Sequence, residues 1–451
     1  MKKLLAVLFI LISVLPAHAE DNALQIAGVT ENHPAYKKII EVHPDIRVKA
    51  VGNPYLNTEI LINAFLSGGF EYDIYCVNSN SFDVQRLIEK GYCTDISSNT
   101  EIKSLVDRIY PAIADQLRYE EGIFGVPYGC TFYYLTYRSN EWREIGLTED
   151  EVPITFADFL DFMEEWIYEI QPQQEDVFCI ISSFDETVYN ENSYTDWLVE
   201  LLLDHYIMQS NYAGVPLRFS DPTFMTLLDR CLTTGKALYE LEPEPNVGMP
   251  LFETTQGISG LRQIVPLMLT NEQPPLIRMN IGIAMVYAKA DAPTLSEEFL
   301  LYLLDSNVSL SEWDRAYLFI DCPPIENESY DAQVQQWQEM VQEIERRLSD
   351  PSSRDDVDEA ELETTLVRYQ NILESVSSES NKYIVSAEML DLYRTYSDYF
   401  YIQPPHIFHP GTPENETVKN IQQQLVEGAI SVDQFVKRLD EMAWMIELER
   451  S

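Results

Sequence analysis

The side chains of this chain that could do chemistry are varied in kind but not arranged for catalysis. No H-E-x-x-H, G-x-S-x-G, phosphate-binding glycine loop or C-x-x-C occurs in the sequence. The six histidines are scattered, and the close pair His406 and His409, in PPHIFHP, is held between prolines as a rigid loop feature. The six cysteines (76, 93, 130, 179, 231, 322) have no metal-ligand spacing. Cys76 and Cys93 flank a candidate helix and are the first pair to test for a disulfide; the alternative is that all six are small buried hydrophobes. A glycosidase needs only two carboxylates about 5–10 Å apart, and 74 acidic residues always contain such a pair, so their presence selects nothing. What remains is binding chemistry without metal or cofactor. Polar loops Thr30-Glu31-Asn32 and Asn78-Ser79-Asn80 follow apolar strands, and Tyr189, Tyr194 and Trp197 offer aromatic faces of the kind that stack on sugar rings.

The elements that would position these residues are legible as alternating periods. Leu24 to Val29, Ile46 to Val51 and Tyr72 to Val77 read as strands. They alternate with helices from His33 to Val42, after an Asn57 cap and after a Ser81 cap, which is the spacing of a parallel α/β layer. Ligands of such sheets bind beyond the carboxyl ends of the strands, where Asn78 and Asn80 lie. Thr131 to Tyr137 is an aromatic strand with large side chains on both faces, preceded by Gly122, Gly125, Pro127 and Tyr128. Thr155 caps the next helix, and a strand from Val177 to Ser182 and a helix begun by Asp221-Pro222 follow. Ile281 to Tyr287 reads as a strand, and Thr294-x-x-Glu297 as the capping box of a helix. Between 331 and 380 apolar residues recur at alternating spacings of 3 and 4 on two runs separated by Asp350-Pro351-Ser352-Ser353, which predicts a self-paired antiparallel helical hairpin. The remainder reads as helical: Tyr383 to Tyr401, Glu414 to Glu427, and a last helix opened by the Ser431-x-x-Gln434 capping box.

Lys2, Lys3, the apolar run from Leu4 to Leu15 and Ala17-His18-Ala19 form the three regions of a secretory signal peptide, with cleavage after Ala19. The run is short of the roughly 20 apolar residues that a membrane span needs. The first cysteine is Cys76, so no lipid-anchored cysteine follows the cleavage point, and the expectation is an exported, soluble protein, periplasmic or extracellular. A formal net charge of −44 argues against nucleic acid and anionic membranes and disfavours an anionic ligand.

The ordered set GIFGVPY, the aromatic strand TFYYLTY, RSNEWREIGL, then PITFADF, together with FLSGGFEYDIYCVN, LIEKGYCTDIS and the terminal EGAISVDQFVKRLDEMAWMIELE, resembles the extracellular solute-binding proteins of ABC importers, in particular the carbohydrate-binding family 1 branch. Arg138, Phe156 and Asp158 stand where that family commonly has Asn, Trp and Glu. The resemblance implies a two-lobed, type II periplasmic-binding-protein-like α/β fold with hinge strands, plus an added helical hairpin. On it the chain divides into a signal peptide (1–19), the first part of lobe 1 (20–134), lobe 2 (135–281), the return to lobe 1 (282–330), the hairpin (331–380) and C-terminal helices packing on lobe 2 (381–451). The implied function is capture of a small solute, a sugar or oligosaccharide, by a monomer that delivers it to permease subunits. The expected cleft is lined by Asn78 and Asn80, by Tyr128 and Phe132 at the hinge, and by Tyr189 and Trp197 from lobe 2. A secreted glycoside hydrolase and an envelope or adhesion protein are the alternatives.

Overall fold

The computed structural model describes residues 23–173, 178–181, 189–242, 249–255, 262–350, 359–405 and 413–450, so the expected signal peptide and His406 and His409 lie outside the described residues. The chain forms two compact units, Met1–Leu310 with Tyr396–Ser451, and Ser311–Thr395.

In the first unit, β1 (Ala23–Ala27), β2 (Arg47–Val51) and β3 (Ile74–Asn78) alternate with the helices Pro34–Val42, Thr58–Ser67 and Val84–Glu89. β3 is buried from Ile74 to Val77, as a strand covered on both faces must be. The Asn57 side chain accepts from Ile60 N at 3.0 Å to open the second helix, and Gly68, at φ +71°, closes it in the left-handed region that glycine enters without strain. The third helix is capped by Asp83, not by the expected Ser81: the Asp83 carboxylate takes the Arg86 N–H at 3.0 Å. After a small hairpin of β4 (Arg118–Tyr119) and β5 (Gly122–Ile123) come β6 (Val126–Arg138), β7 (Phe178–Ile181), β8 (Met249–Thr255), β9 (Arg262–Ile264) and β10 (Ile277–Val286). β11 (Ile325–Glu326) and β12 (Tyr383–Val385) belong to the second unit, and β13 (Phe400–Ile402) to the first.

Among the described residues the main sheet runs β2-β1-β3-β10-β6-β8-β7, with β13 added to β10 and β9 to β6. β1, β2 and β3 are parallel, and β10 is antiparallel to both β3 and β6. The hydrogen bonds form one path, but the path changes hands within β6. Val126 to Tyr133 pair with β10, whereas Tyr134 to Arg138 pair with β8 and β9.

Beyond β6, the helices Phe156–Glu165, Ser193–Ala213 and Pro222–Leu241 enclose a core with Phe156, Leu198, Phe224, Leu228 and Phe252. The first of these helices starts on a reciprocal capping box, Asp158 N to Thr155 Oγ1 at 3.1 Å and Thr155 N to Asp158 Oδ2 at 3.0 Å. Val418, Ile421, Phe435 and Leu439, from the helices Pro413–Val426 and Val432–Arg450, join the same core.

Two further local expectations are corrected, and the open choice between a disulfide and buried cysteines is decided. The Pro293–Leu304 helix has no side-chain cap, because Pro293 already occupies its first turn and leaves Thr294 inside the helix. Tyr383 to Tyr401 is not one helix but β12, the helix Ala387–Tyr396 and β13; the β-branched and aromatic ends of this segment find strand partners. All six cysteines are buried and none is in a disulfide; the Cys93 sulfur sits 2.9 Å from the Tyr75 hydroxyl and 3.6 Å from Met285 Sδ, so the pair with Cys76 is not made.

In the second unit the helices Tyr330–Ser349 and Glu359–Val376 lie antiparallel: the Tyr330 hydroxyl, at the start of one, donates to Ser377 O, past the end of the other, at 2.9 Å. Trp337 meets Tyr369 edge-on at 5.5 Å along the seam, where Val341 and Leu362 are buried.

The Ser193–Ala213 and Pro222–Leu241 helices touch backbone to backbone at Gly235, where a Cβ would stand 2.5 Å from Thr195 Cα. Gly235→Ala should therefore cost about 1–3 kcal/mol of stability in urea unfolding, because the helices must part. Gly52→Ala, which meets nothing within 4 Å, should leave the midpoint unchanged.

Candidate functional site

The chain passes from one ladder to the other along β6, and β10 and β13 lie beside the point of change. β10 carries β6 along one edge, from Ala284↔Val126 to Arg278↔Tyr133. Its other edge carries β3 from Val286 to Gly282 and then β13 from Met279 to Ile277. Along these strands burial alternates with period two. Phe132, Tyr134, Ile277, Met279 and Ile281 are buried, while Thr131, Tyr133, Arg278 and Asn280 are half-buried. One face of the crossing is thus core and the other is polar and partly open.

The polar face is organised around Asn280. Its Oδ1 accepts from Ser79 Oγ at 3.2 Å and from Asn80 N at 3.3 Å. Ser79 Oγ in turn accepts from Ile281 N at 3.0 Å, and Ser79 N donates to Ile281 O at 2.9 Å. These bonds fix the loop that carries Asn78 and Asn80 to the crossing strand. Because both bonds to its carbonyl oxygen come from donors, the Asn280 amide group is oriented, with Nδ2 as its remaining donor end.

Tyr128 lies across Gly282, where an added Cβ would stand 2.7 Å from the ring carbon Cζ. A bulge between Gly282 and Ile283 makes room for this, as Tyr128 and Gly129 together oppose Gly282. Burial pushes the Tyr128 phenol well above its ordinary range, with the nearby Cys76 sulfur adding to the shift. Asn78 is exposed at the end of β3, paired with Gly282. Asn78, Asn80 and Tyr128 therefore gather at one crossing. Phe132 belongs to the same crossing but to its core face: it is 1% exposed, with its ring 5.0 Å from Phe400 and 6.2 Å from Tyr134. Alternation sends its neighbours Thr131 and Tyr133, not Phe132, to the open side.

At the far end of the polar face the Arg278 guanidinium stands 4.8 Å over the Tyr133 ring and bonds Asp204 of the Ser193–Ala213 helix at 2.8 Å. A cavity of about 60 Å³ adjoins this pair and is lined also by Leu201, His205 and Met208. His205 Nδ1 donates to the Leu201 carbonyl at 2.9 Å, and burial lowers the pKa of its ring.

Tyr189 and Trp197 are engaged elsewhere. Trp197 packs edge-on to Phe159 at 6.0 Å. The Tyr189 hydroxyl donates to the Glu242 carbonyl, and its ring sits 5.7 Å from Tyr239 and 6.2 Å from Tyr194. Tyr189 also lines a wider cavity, of about 730 Å³, with Asp196, Glu200, Lys419 and Glu427. Residues 182–188 and 256–261, which follow β7 and β8 in sequence, lie outside the described residues.

Tyr194 serves the buried Glu242 carboxylate, which also accepts from Trp166 Nε1 and Ile180 N at 3.2 Å. Burial raises the Glu242 pKa, and the hydrogen bonds from Tyr194, Trp166 and Ile180 offset it in part.

Sequence reasoning missed Arg278, Asn280, Tyr133 and β13. The signal for the first two is present in IRMNIG, where polar residues alternate with apolar ones, but the strand was expected to begin only at Ile281.

No family model and no curated protein matches the chain. Solved structures do. A binding protein described as msme from Bacillus subtilis, in an open conformation, aligns over 96% of this chain and 100% of its own at a TM-score of 0.53 and 12% identity. The sugar-binding protein MalE from Xanthomonas citri aligns over 95% and 98% at 0.51 and 13%. An ABC transporter solute binding protein from Agrobacterium vitis, with bound D-mannitol, aligns over 95% and 99% at 0.50 and 11%. These neighbours are binding proteins, not enzymes, and at such identities the likeness is one of fold. Among the described residues no helix is long and apolar enough to cross a membrane.

Two results are expected. Asn280→Ala, which strips Ser79 and Asn80 of a shared acceptor, should cost about 1–3 kcal/mol in urea unfolding. Glu242 has a raised pKa in the fold, so the folded state holds its proton more tightly than the unfolded state does. That residue's contribution to stability is therefore greatest below the unfolded carboxyl value of 4.5 and falls as pH rises through the folded value. Glu242→Gln should be more stable than the wild type at pH 8, with the gap closing toward pH 5, when unfolding is compared at the two pH values.

Proposed function

Because this chain has the fold of the ABC-importer solute-binding proteins, we propose that it captures a solute, a sugar or oligosaccharide, by closing two lobes about the β6–β10–β13 crossing, and that it hands the solute to an importer permease outside the cytoplasm. The observation that carries this reading is the half-open polar face of the crossing, where Asn80 bonds Asn280 and Asn78 and Tyr128 stand against the nearby Gly282. A neutral polyol needs directed hydrogen bonds at its hydroxyls and an apolar surface at its ring face, and this set supplies amides beside a half-buried tyrosine. Charge supports the same class. The net charge is −44, and Arg278 at this face is paired with Asp204, which disfavours an anionic solute. Closure would follow from differential binding: a ligand that touches both lobes only in the closed state shifts the population toward it.

The test is a thermal-shift screen of the protein without its first 19 residues against D-mannitol, maltose, maltotriose, amino acids and polyamines. A ligand at about 100 times its dissociation constant stabilises the fold by roughly 2.7 kcal/mol. A sugar or polyol should raise the melting temperature, and a response confined to amino acids or polyamines would reject the sugar reading. With the sugar that responds, Tyr128→Ala should weaken binding by about 1–3 kcal/mol while moving the unliganded melting temperature little. Unchanged affinity with a large loss of unliganded stability would make Tyr128 a packing residue of the hinge. Turnover of aryl glycosides that disappears on replacing a carboxylate pair would replace the transport reading with an enzymatic one.

A further inference from the structure

On one edge of β10 two segments approach the same short gap from opposite directions. β3 runs antiparallel to β10 and ends at Asn78↔Gly282, with Ser79 and Asn80 continuing onto Ile281 and Asn280. β13 runs parallel to β10 and ends at Ile402↔Met279, so the next residue, Gln403, is level with Asn280 from the other side. Gln403 is 4% exposed, and neither its amide nitrogen nor its amide oxygen has a hydrogen-bond partner. A primary amide has two donor hydrogens and two acceptor lone pairs, and burying it unmet is costly. The segment that ends in Ser79 and Asn80 belongs to the ladder of β1, β2 and β3, whereas the chain beyond Gln403 goes on to the helices packed in the core with Phe156 and Leu198. The unmet amide therefore sits where a relative movement of the two halves changes the gap.

We propose that Gln403 is a closure-linked positioning residue: its amide is unpaired in this conformation and pairs with the Asn280–Asn80 cluster when the halves move together. The inference rests on the lobe-closure reading above. It makes Gln403 a bias on the open–closed equilibrium, acting through Asn280 on the loop that holds Asn78 and Asn80. An apolar residue of similar size satisfies the present conformation and forfeits the bond made in the other.

The experiment uses Lys90→Cys and Glu169→Cys, both at exposed positions, to carry a spin-label pair; the six native cysteines are buried. Inter-label distance distributions and melting temperatures are compared for the otherwise wild-type protein, Gln403→Leu and Gln403→Met. Both variants should melt higher without ligand, by roughly 2–4 °C, and both should lose the shorter-distance component of the distribution. A lower melting temperature in both variants means that the amide is already bonded in this conformation and overturns the proposal. An unchanged distribution overturns it as well, whatever happens to the melting temperature. The lobe-closure reading fails by a different sign, a single narrow distance in the Gln403 protein both alone and with each of D-mannitol, maltose and maltotriose.

Discussion

Everything in the first unit depends on one strand serving two ladders. β6 is 13 residues long, and its hydrogen-bonding partners change between Tyr133 and Tyr134. Strand twist accumulates along such a length, so the two ends can belong to sheets that face different ways without any break in the backbone. β10 runs back alongside and β13 is laid on its free edge, so β6, β10 and β13 are held together where the partners change.

The period-two alternation of a strand decides what those groups are. On one side Phe132, Met279 and Phe400 make a closed apolar layer that holds the strands together. On the other, Thr131, Asn280, Tyr133 and Arg278 are half-exposed, with Asn280 bonded to Ser79 and Arg278 to Asp204. Partial burial strengthens these bonds relative to water and makes a missing partner expensive. The same rule explains Glu242. A carboxylate with three kinds of donor around it and no cation among its bonding partners keeps its place in the core, but with a proton affinity raised by burial.

The strong negative charge is spread over the surface, and the arginines near buried or half-buried positions are spent in ion pairs: Arg278 with Asp204, Arg230 with Asp161 and Glu164, Arg138 with Glu141. Such pairs position helices against strands and leave little free positive potential.

The sequence by itself determined the α/β class, the starts and stops of most helices and the self-paired hairpin, because these follow from local chemistry. Asn57, Thr155, Asp221 and Ser431 cap their helices through bonds within three residues, Gly68 and Gly428 end theirs at positive φ, and the apolar seam of the hairpin repeats every three or four residues. It also placed Asn78 and Asn80 at the carboxyl end of a strand, although Asn78 is the last residue of β3 and Tyr128 lies inside β6. Tertiary structure alone decided the rest. Phe400-Tyr401-Ile402 is a strand because an edge of β10 is free beside it, a fact about residues more than a hundred positions away. Tyr194 is a ligand of Glu242 and not an exposed ring because the ends of two helices and β7 meet there. Asn280 holds Ser79 and Asn80 because the chain leaving β3 passes its side. Long-range register assigns such roles, and a single sequence carries no local signal for register.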